Sequence, residues 1–262
     1  MEKDINMIQK DISNAKNVLY ISCAMGRMIL QNGGETYRTE ETIVKTCAHY
    51  NLKASSFATL NTIITSIDPF ENESEAGNYT FVDRINFRTI NLKKVHMLND
   101  LARNLDKYTI DELKEEIKRI DNENKISIGK KIFGHMMAGG SFAFLFGGNY
   151  KDGIVAVIAM LFLALMDKYF RYKKLNGFFT NLVGGMLSTT ISLLFYKVGF
   201  IDEFSVSIIA ALMLLAPGIA FTNSIRDVIS GDFISGLSRG VEALVTGVSL
   251  AAGSGMILSV FL

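Results

Sequence analysis

The sequence predicts two bodies of different class. Residues 1–128 read as a cytoplasmic α+β domain of helices plus a small antiparallel sheet. Residues 129–262 read as an all-α membrane domain of five transmembrane helices with a broken fourth helix. Three observations carry this. Charge is split unevenly: residues 1–131 hold 19 of the 27 Lys/Arg and 19 of the 26 Asp/Glu, leaving 8 and 7 for the rest. The second half also holds 17 of the 22 glycines, a texture too poor in charge for a water-soluble body. Five apolar stretches follow, near 132–148, 153–170, 177–196, 204–222 and 241–262, each close to the ~20 residues that cross a bilayer core.

In the first half, Ile8, Ile12, Ala15, Val18, Met25 and Ile29 recur at helical spacing and predict one long amphipathic helix. Gly33–Gly34 ends it. A second helix is expected from Thr36 to Tyr50 with Val44 and Cys47 inward. The segments LKASSFATL, NTIITSID and NYTFVDRI are short, β-branched or aromatic, and separated by turn chemistry, so they read as three antiparallel strands. A helix follows through Leu92, Val95, Leu98 and Leu101. Thr109-x-x-Glu112 announces another through a capping box, in which each side chain satisfies the other's backbone amide.

Lys/Arg in the loops set orientation in the second half. Lys118, Arg119, Lys125, Lys130 and Lys131 precede the first span, and the next loop has only Lys151. Lys168, Arg171, Lys173 and Lys174 follow the second span, Lys197 follows the third, and Arg226 and Arg239 precede the last. The alternation predicts a cytoplasmic N-terminal domain, five membrane crossings and an external C-terminus. Small residues recur at four-residue spacing, as Gly236 and Gly240 and again as Gly247, Ala251 and Gly255. Pairs stand at Gly139–Gly140 and Gly184–Gly185. Such stripes let helices approach closely, within the chain or against a partner.

The polar residues near the fourth span are the sharper signal, because burying them is costly. Pro217 cannot donate to a helical ladder, so a break is expected at Pro217–Gly218. Asn223, Arg226, Asp227, Asp232, Arg239 and Glu242 follow, and Asn181 in the third span and His135 in the first are expected at similar depth. Gly231 can end one helix and Asp232 can cap the next. Discontinuous helices of this kind bind small charged substrates or ions in transporters, though a solvated loop with an Arg–Asp pair fits the same residues. In GGETYRTEE, Glu35, Arg38 and Glu40 cluster at a helix start, which suits a ligand or ordinary dipole matching.

Several function classes are excluded at this level. Net charge +1 leaves no basic face for nucleic acid. Two cysteines without partner spacing exclude a disulfide scaffold and a Cys-rich zinc site, and Met1–Ile21 does not read as a signal peptide. No GxGxxG, Walker loop, GxSxG or HExxH occurs, so no catalytic residue, metal or cofactor is expected, and the chain reads as a non-enzyme.

The segments MILQNGGETYRTEETI at 28–43 and APGIAFTNSIRDVISGDFISGLSRGVEAL at 216–244 resemble the signature segments of the threonine/serine exporter (ThrE) family. Length and span count resemble the larger, YjjP-like subunit of its split two-component form. The resemblance implies a secondary exporter of small hydrophilic carboxylate-bearing metabolites, either threonine/serine or a dicarboxylate such as succinate. The positions it marks are Gly34, Glu35, Arg38 and Glu40 in the first domain. In the second they are Pro217, Gly218, Asn223, Arg226, Asp227, Gly231, Asp232, Arg239 and Glu242. It further implies a second, smaller membrane subunit of the same family, or a homo-oligomer. With no nucleotide motif, an ion gradient is the expected drive, with Glu242 or Asp227 as proton carrier. A membrane-anchored metabolite sensor is the alternative, and a membrane-tethered hydrolase the third reading.

Overall fold

The structure is a computed structural model that describes residues 2–68, 79–123, 126–173 and 175–261, with side chains from Ser13 onward. It divides into two compact units. One comprises Met1–Asn124 and Asn223–Arg239, the other Lys125–Thr222 and Gly240–Leu262. The segment 223–239, read from sequence as part of the membrane domain, therefore groups with the first half of the chain.

The first unit is built around helix α1 (Glu2–Gln31). Ala15, Val18, Leu19 and Cys23 pack against Ile43 and Cys47 of α2 (Thr36–His49) and against Ile63 and Ile67 of the sheet. Ile21, Met25 and Ile29 pack instead against Leu98 and Leu101 of α3 (Leu92–Arg103) and Leu113 and Ile117 of α4 (Ile110–Asp121). One helix thus serves two cores, and each fully buried Ile or Leu contributes roughly 1.5–3 kcal/mol. The expected apolar positions Ile8 and Ile12 lie outside the described side chains. On α2 the fully buried positions are Ile43 and Cys47, while Val44 is half-buried.

The sheet has the expected three antiparallel strands in the order β1 (Lys53–Ala58), β2 (Thr62–Asp68) and β3 (Tyr79–Arg84). Ile63, Thr65 and Ile67 of β2 face the core at period two. Ile64 falls on the other face, opposite Phe57 and Val82. The turn between β2 and β3 lies outside the described residues. The capping box at Thr109 and Glu112 forms as read from the sequence.

The second unit contains α5 (Ile128–Leu145), α6 (Tyr150–Tyr172), α7 (Gly177–Lys197), α8 (Ser205–Met213) and the ends of two further helices, α9 (Gly218–Ile229) and α10 (Phe233–Phe261). Among the described residues α6, α7 and α10 are long and apolar enough to cross a membrane, and the pair α8–α9 makes a fourth if counted as one broken span. α5 is not among them: Lys130, Lys131 and His135 occupy its first two turns and leave too short an apolar run. The described helices thus give three or four candidate spans where the sequence predicted five.

Glycine sets the packing of these helices. A methyl at Gly139 would strike the Met160 side chain, so α5 and α6 touch there. A methyl at Gly185 would strike the Leu250 carbonyl, and one at Gly253 the Leu182 carbonyl, so α7 and α10 meet at backbone contact. The expected stripe Gly247–Ala251–Gly255 turns out to lie off that contact, with open space at Gly247 and Gly255. Gly253 is two residues out of register with it, and half a helical turn away. The predicted break is present: α8 ends at Met213, α9 starts at Gly218, and the two are bent by 58°. Ala216, Pro217, Gly218 and Phe221 line a cavity of about 310 Å³ with Gly240 and Ala243.

Cys23 and Cys47 are free and buried. Burial pushes the Cys23 thiol up to about 11 and raises that of Cys47 as well, so neither offers thiolate near neutrality. Alkylation by iodoacetamide at pH 8 should be slow in the folded protein and immediate after denaturation. Rapid labelling of the folded chain would contradict this core.

Candidate functional site

Two helix ends of the same design build the site. After α1, Gly33 takes φ +92°, its amide bonds the Leu30 carbonyl and the Gly34 amide bonds the Ile29 carbonyl. After α9, Gly231 takes φ +88°, its amide bonds the Val228 carbonyl and the Asp232 amide bonds the Asp227 carbonyl. Both are Schellman turns, which need a left-handed residue that glycine adopts without strain. Asp232 then caps α10, accepting from the Ser235 amide at 3.2 Å as the sequence suggested.

The first turn leaves the carbonyls of Gly33 and Gly34 without helical partners, and the segment 223–239 satisfies both. Asn223 Nδ2 donates to the Gly33 oxygen at 3.1 Å, and Arg239 Nη2 to the Gly34 oxygen at 2.9 Å. Arg239 Nε also donates to Asp227 Oδ2 at 2.8 Å, and Thr36 Oγ1 to Asp227 Oδ1 at 3.1 Å. Asp227 and Arg239 are 0% and 5% exposed, so this is a fully desolvated ion pair, and the bonds that hold it lie inside one unit. Ser224 Oγ, donating to the Gly236 carbonyl at 2.6 Å, ties α9 to α10 beside it.

Glu35 lies at the edge of this core, 6% exposed. Its carboxylate bridges two arginines: Oε1 accepts from Arg226 Nη1 at 2.9 Å, and Oε2 pairs with Arg38 Nε at 3.1 Å. The side chain of Arg226 remains 58% exposed. One carboxylate is thus held inside while the guanidinium that pairs with it presents its remaining donors outward.

Glu40 Oε1 accepts from the Ala58 amide at 2.7 Å. Burial pushes the Glu40 carboxyl above its ordinary value; the Ala58 amide opposes this, and the negative charge of Asp232 adds to it. Asp232 Oδ2 and the Ser235 hydroxyl are buried and have no hydrogen-bond partner among the described residues.

Of the residues singled out from sequence, Gly34, Glu35, Arg38, Glu40, Asn223, Arg226, Asp227, Asp232 and Arg239 all fall in the first unit. Pro217, Gly218, Asn181 and Glu242 belong to the second, where Asn181 is half-buried on α7 and Glu242 sits on an exposed face of α10. Sequence reasoning missed Gly33, whose carbonyl is a ligand, and Thr36. The signal for Thr36 was present: Thr36, Thr39, Thr42 and Thr46 recur at helical spacing and are all buried, a polar stripe down one side of α2.

A proton on Glu40 is favoured by the fold, because its folded pKa lies above the unfolded value. The stability it contributes is therefore fully present at low pH and falls as pH rises from the ordinary carboxylate range through the raised value. Glu40→Gln keeps an acceptor for the Ala58 amide and removes the charge. Its Tm should exceed that of the unsubstituted chain at pH 7–8, with the gap closing as pH falls. A gap independent of pH would contradict this environment.

The threonine/serine exporter (ThrE) family matches residues 21–261, which spans both motif segments and every residue of the site. A threonine/serine exporter of Corynebacterium glutamicum is 25% identical over 256 residues. The match covers 94% of this chain but 52% of that protein, so the chain spans about half the length of the curated relative. No solved structure matches the chain. The match runs through both segments that build the site and covers most of the sequence, and the chain belongs to the threonine/serine exporter family of membrane proteins.

Proposed function

We propose that this chain is a subunit of an ion-gradient-driven exporter of small carboxylate-bearing metabolites, threonine/serine or a dicarboxylate such as succinate. The observation that carries the proposal is the Glu35–Arg226 pair. Arg226 is half in water while its partner carboxylate is buried, so the guanidinium can exchange one carboxylate for another without either charge being stranded. A substrate carboxylate arriving from the cytoplasm takes the exposed donors of the planar fork in two parallel bonds, an arrangement that lysine cannot copy. Both candidate substrate classes carry the required group. Asp227 and Arg239 hold the frame on which Arg226 stands, and Asn223 and Asp232 fix the ends of α9.

In the same reading α5 is the first of five spans, shortened because its lysines and His135 stand in the cytoplasmic interface, and α8–α9 is the fourth. The N-terminal domain is then cytoplasmic and the C-terminus external, in a bacterial inner membrane. Glu242, an acid on a membrane helix, is the proposed proton carrier, and Asn181, Pro217 and Gly218 line the path. The open stripe at Gly247 and Gly255 supports a smaller membrane subunit of the same family, or a second copy of the chain, packing there.

Export of labelled threonine, serine and succinate from cells expressing this chain, with and without a smaller family subunit, tests the proposal. Arg226→Gln should lower flux about tenfold or more, since a charge-assisted hydrogen bond is worth roughly 1.5–3 kcal/mol. Arg226→Lys should restore it poorly, at unchanged expression. Export by Arg226→Gln at the unsubstituted rate would overturn the site. Cysteines placed at positions 150 and 172 should label from outside and inside respectively. Labelling of both from one side would overturn the topology.

A further inference from the structure

The packed pair α5–α6 carries a second charged feature that the export site does not use. A cleft of about 190 Å³ opens between the start of α5 and the end of α6. Lys131, Ile132 and His135 form one wall and Asp167, Lys168 and Arg171 the other. Asp167 accepts from Arg171 Nε through both oxygens, at 2.9 and 2.8 Å, and pairs with Lys131 Nζ at 3.6 Å. His135 Nδ1 is taken up by the Lys131 carbonyl at 2.7 Å. A single carboxylate is therefore divided between two cations. Lys168 and the two terminal nitrogens of Arg171 have no partner among the described residues. Three positive charges against one negative leave the cleft with an excess of positive charge.

Its depth follows from the aromatic side chains. Phe133, Tyr169 and Tyr172 surround this end of the pair and are 63%, 57% and 82% exposed. Tyr150, 66% exposed, stands at the other end of α6. The separation from Tyr150 to Tyr169–Tyr172 is 19–22 residues, or about 30 Å of helix, the thickness of the hydrocarbon core. Aromatic rings of this kind settle at the two membrane–water interfaces. The cleft between Lys131 and Arg171 therefore lies at headgroup level, with Ile132 and Ala164 giving its wall an apolar side.

We propose that this cleft binds the phosphate of an anionic phospholipid. A phosphodiester brings one negative charge and two free oxygens, which suit the Arg171 fork and the Lys168 ammonium together. The acyl chains stay in the bilayer below, beside the apolar wall. A free inorganic phosphate offers the same oxygens but gains nothing from the apolar wall or the interfacial depth, so lipid is the favoured source.

Native mass spectrometry of the full chain, purified in mild detergent with equal phosphatidylglycerol and phosphatidylcholine, tests this. One phosphatidylglycerol should be retained at least about fivefold over phosphatidylcholine, and millimolar inorganic phosphate should not displace it. Each neutralised cation should weaken retention about fivefold, since a basic side chain near an anionic surface is worth roughly 1 kcal/mol. Arg171→Gln removes one. Lys168→Gln removes another while breaking no ion pair among the described residues, so it keeps the test readable if Arg171→Gln fails to fold. Lys151→Gln, at the other end of α6, should leave retention unchanged. Equal retention of the two lipids, or unchanged retention in Lys168→Gln, would overturn the proposal. So would displacement by inorganic phosphate or by threonine or succinate, which would make the cleft a site for free anions.

Discussion

The polar core that joins the two segments of the first unit depends on one desolvated ion pair, Asp227 with Arg239. Neither charge is tolerable alone at that burial, because the desolvation of each is offset only by the other and by the groups around them. Thr36 supplies a hydroxyl to the carboxylate, and the Gly34 carbonyl takes the second face of the guanidinium. Those two partners come from the turn after α1 and the start of α2. The segment 223–239 therefore folds with the N-terminal half of the chain, some 190 residues away in sequence. The Schellman turns at Gly33 and Gly231 follow as a requirement. They expose the carbonyls that Asn223 and Arg239 satisfy, and they bring Asp232 to the start of α10.

Upon that frame the chemistry is arranged by degree of exposure. Asp227 and Arg239 are buried and paired with each other. Glu35 is inside as well, but one of its two arginines reaches water. Burial and the nearby negative charge of Asp232 push the Glu40 carboxyl above its ordinary value. The Asp227–Arg239 pair, the Glu35–Arg226 pair and the Glu40 carboxyl thus stand on the same two segments. In the second unit the corresponding economy is steric: Gly139, Gly185 and Gly253 admit backbone-close helices, while the small residues facing away at Gly247 and Gly255 stay open.

Features set by local chemistry were legible in the sequence. The three strands, the capping box at Thr109, the helix stop at Gly33–Gly34, the break at Pro217 and the cap at Asp232 all follow from propensity, turn residues and the missing amide of proline. Both halves of the site were also singled out, because GGETYRTEE and NSIRDVISGD put costly polar groups beside apolar runs. That the two halves meet was not legible. Arg226 invited pairing with Asp227 next to it in sequence, whereas the fold pairs Arg226 with Glu35 and Asp227 with Arg239. On a helix adjacent residues point about 100° apart, so a neighbour in sequence is a poor partner in space. The described helices give three or four candidate spans rather than five because apolar content was read over 132–148, whereas the helix begins at Ile128 and takes two lysines into its first turn. The packing face of α10 was misjudged because a four-residue stripe of small residues fits several faces equally until the partner helix is seen.

The central claim is that Asp227 and Arg239 act as one buried unit joining the two motif segments. A double-mutant cycle on the full chain in detergent, read by thermal or denaturant unfolding, measures this most directly. Asp227→Asn or Arg239→Met alone leaves a buried charge without its partner and should cost about 3–5 kcal/mol. The double replacement removes both charges and should cost clearly less than the two single effects together, revealing a coupling of roughly 0.5–3 kcal/mol. Additive losses, or single variants as stable as the unsubstituted chain, would contradict the account.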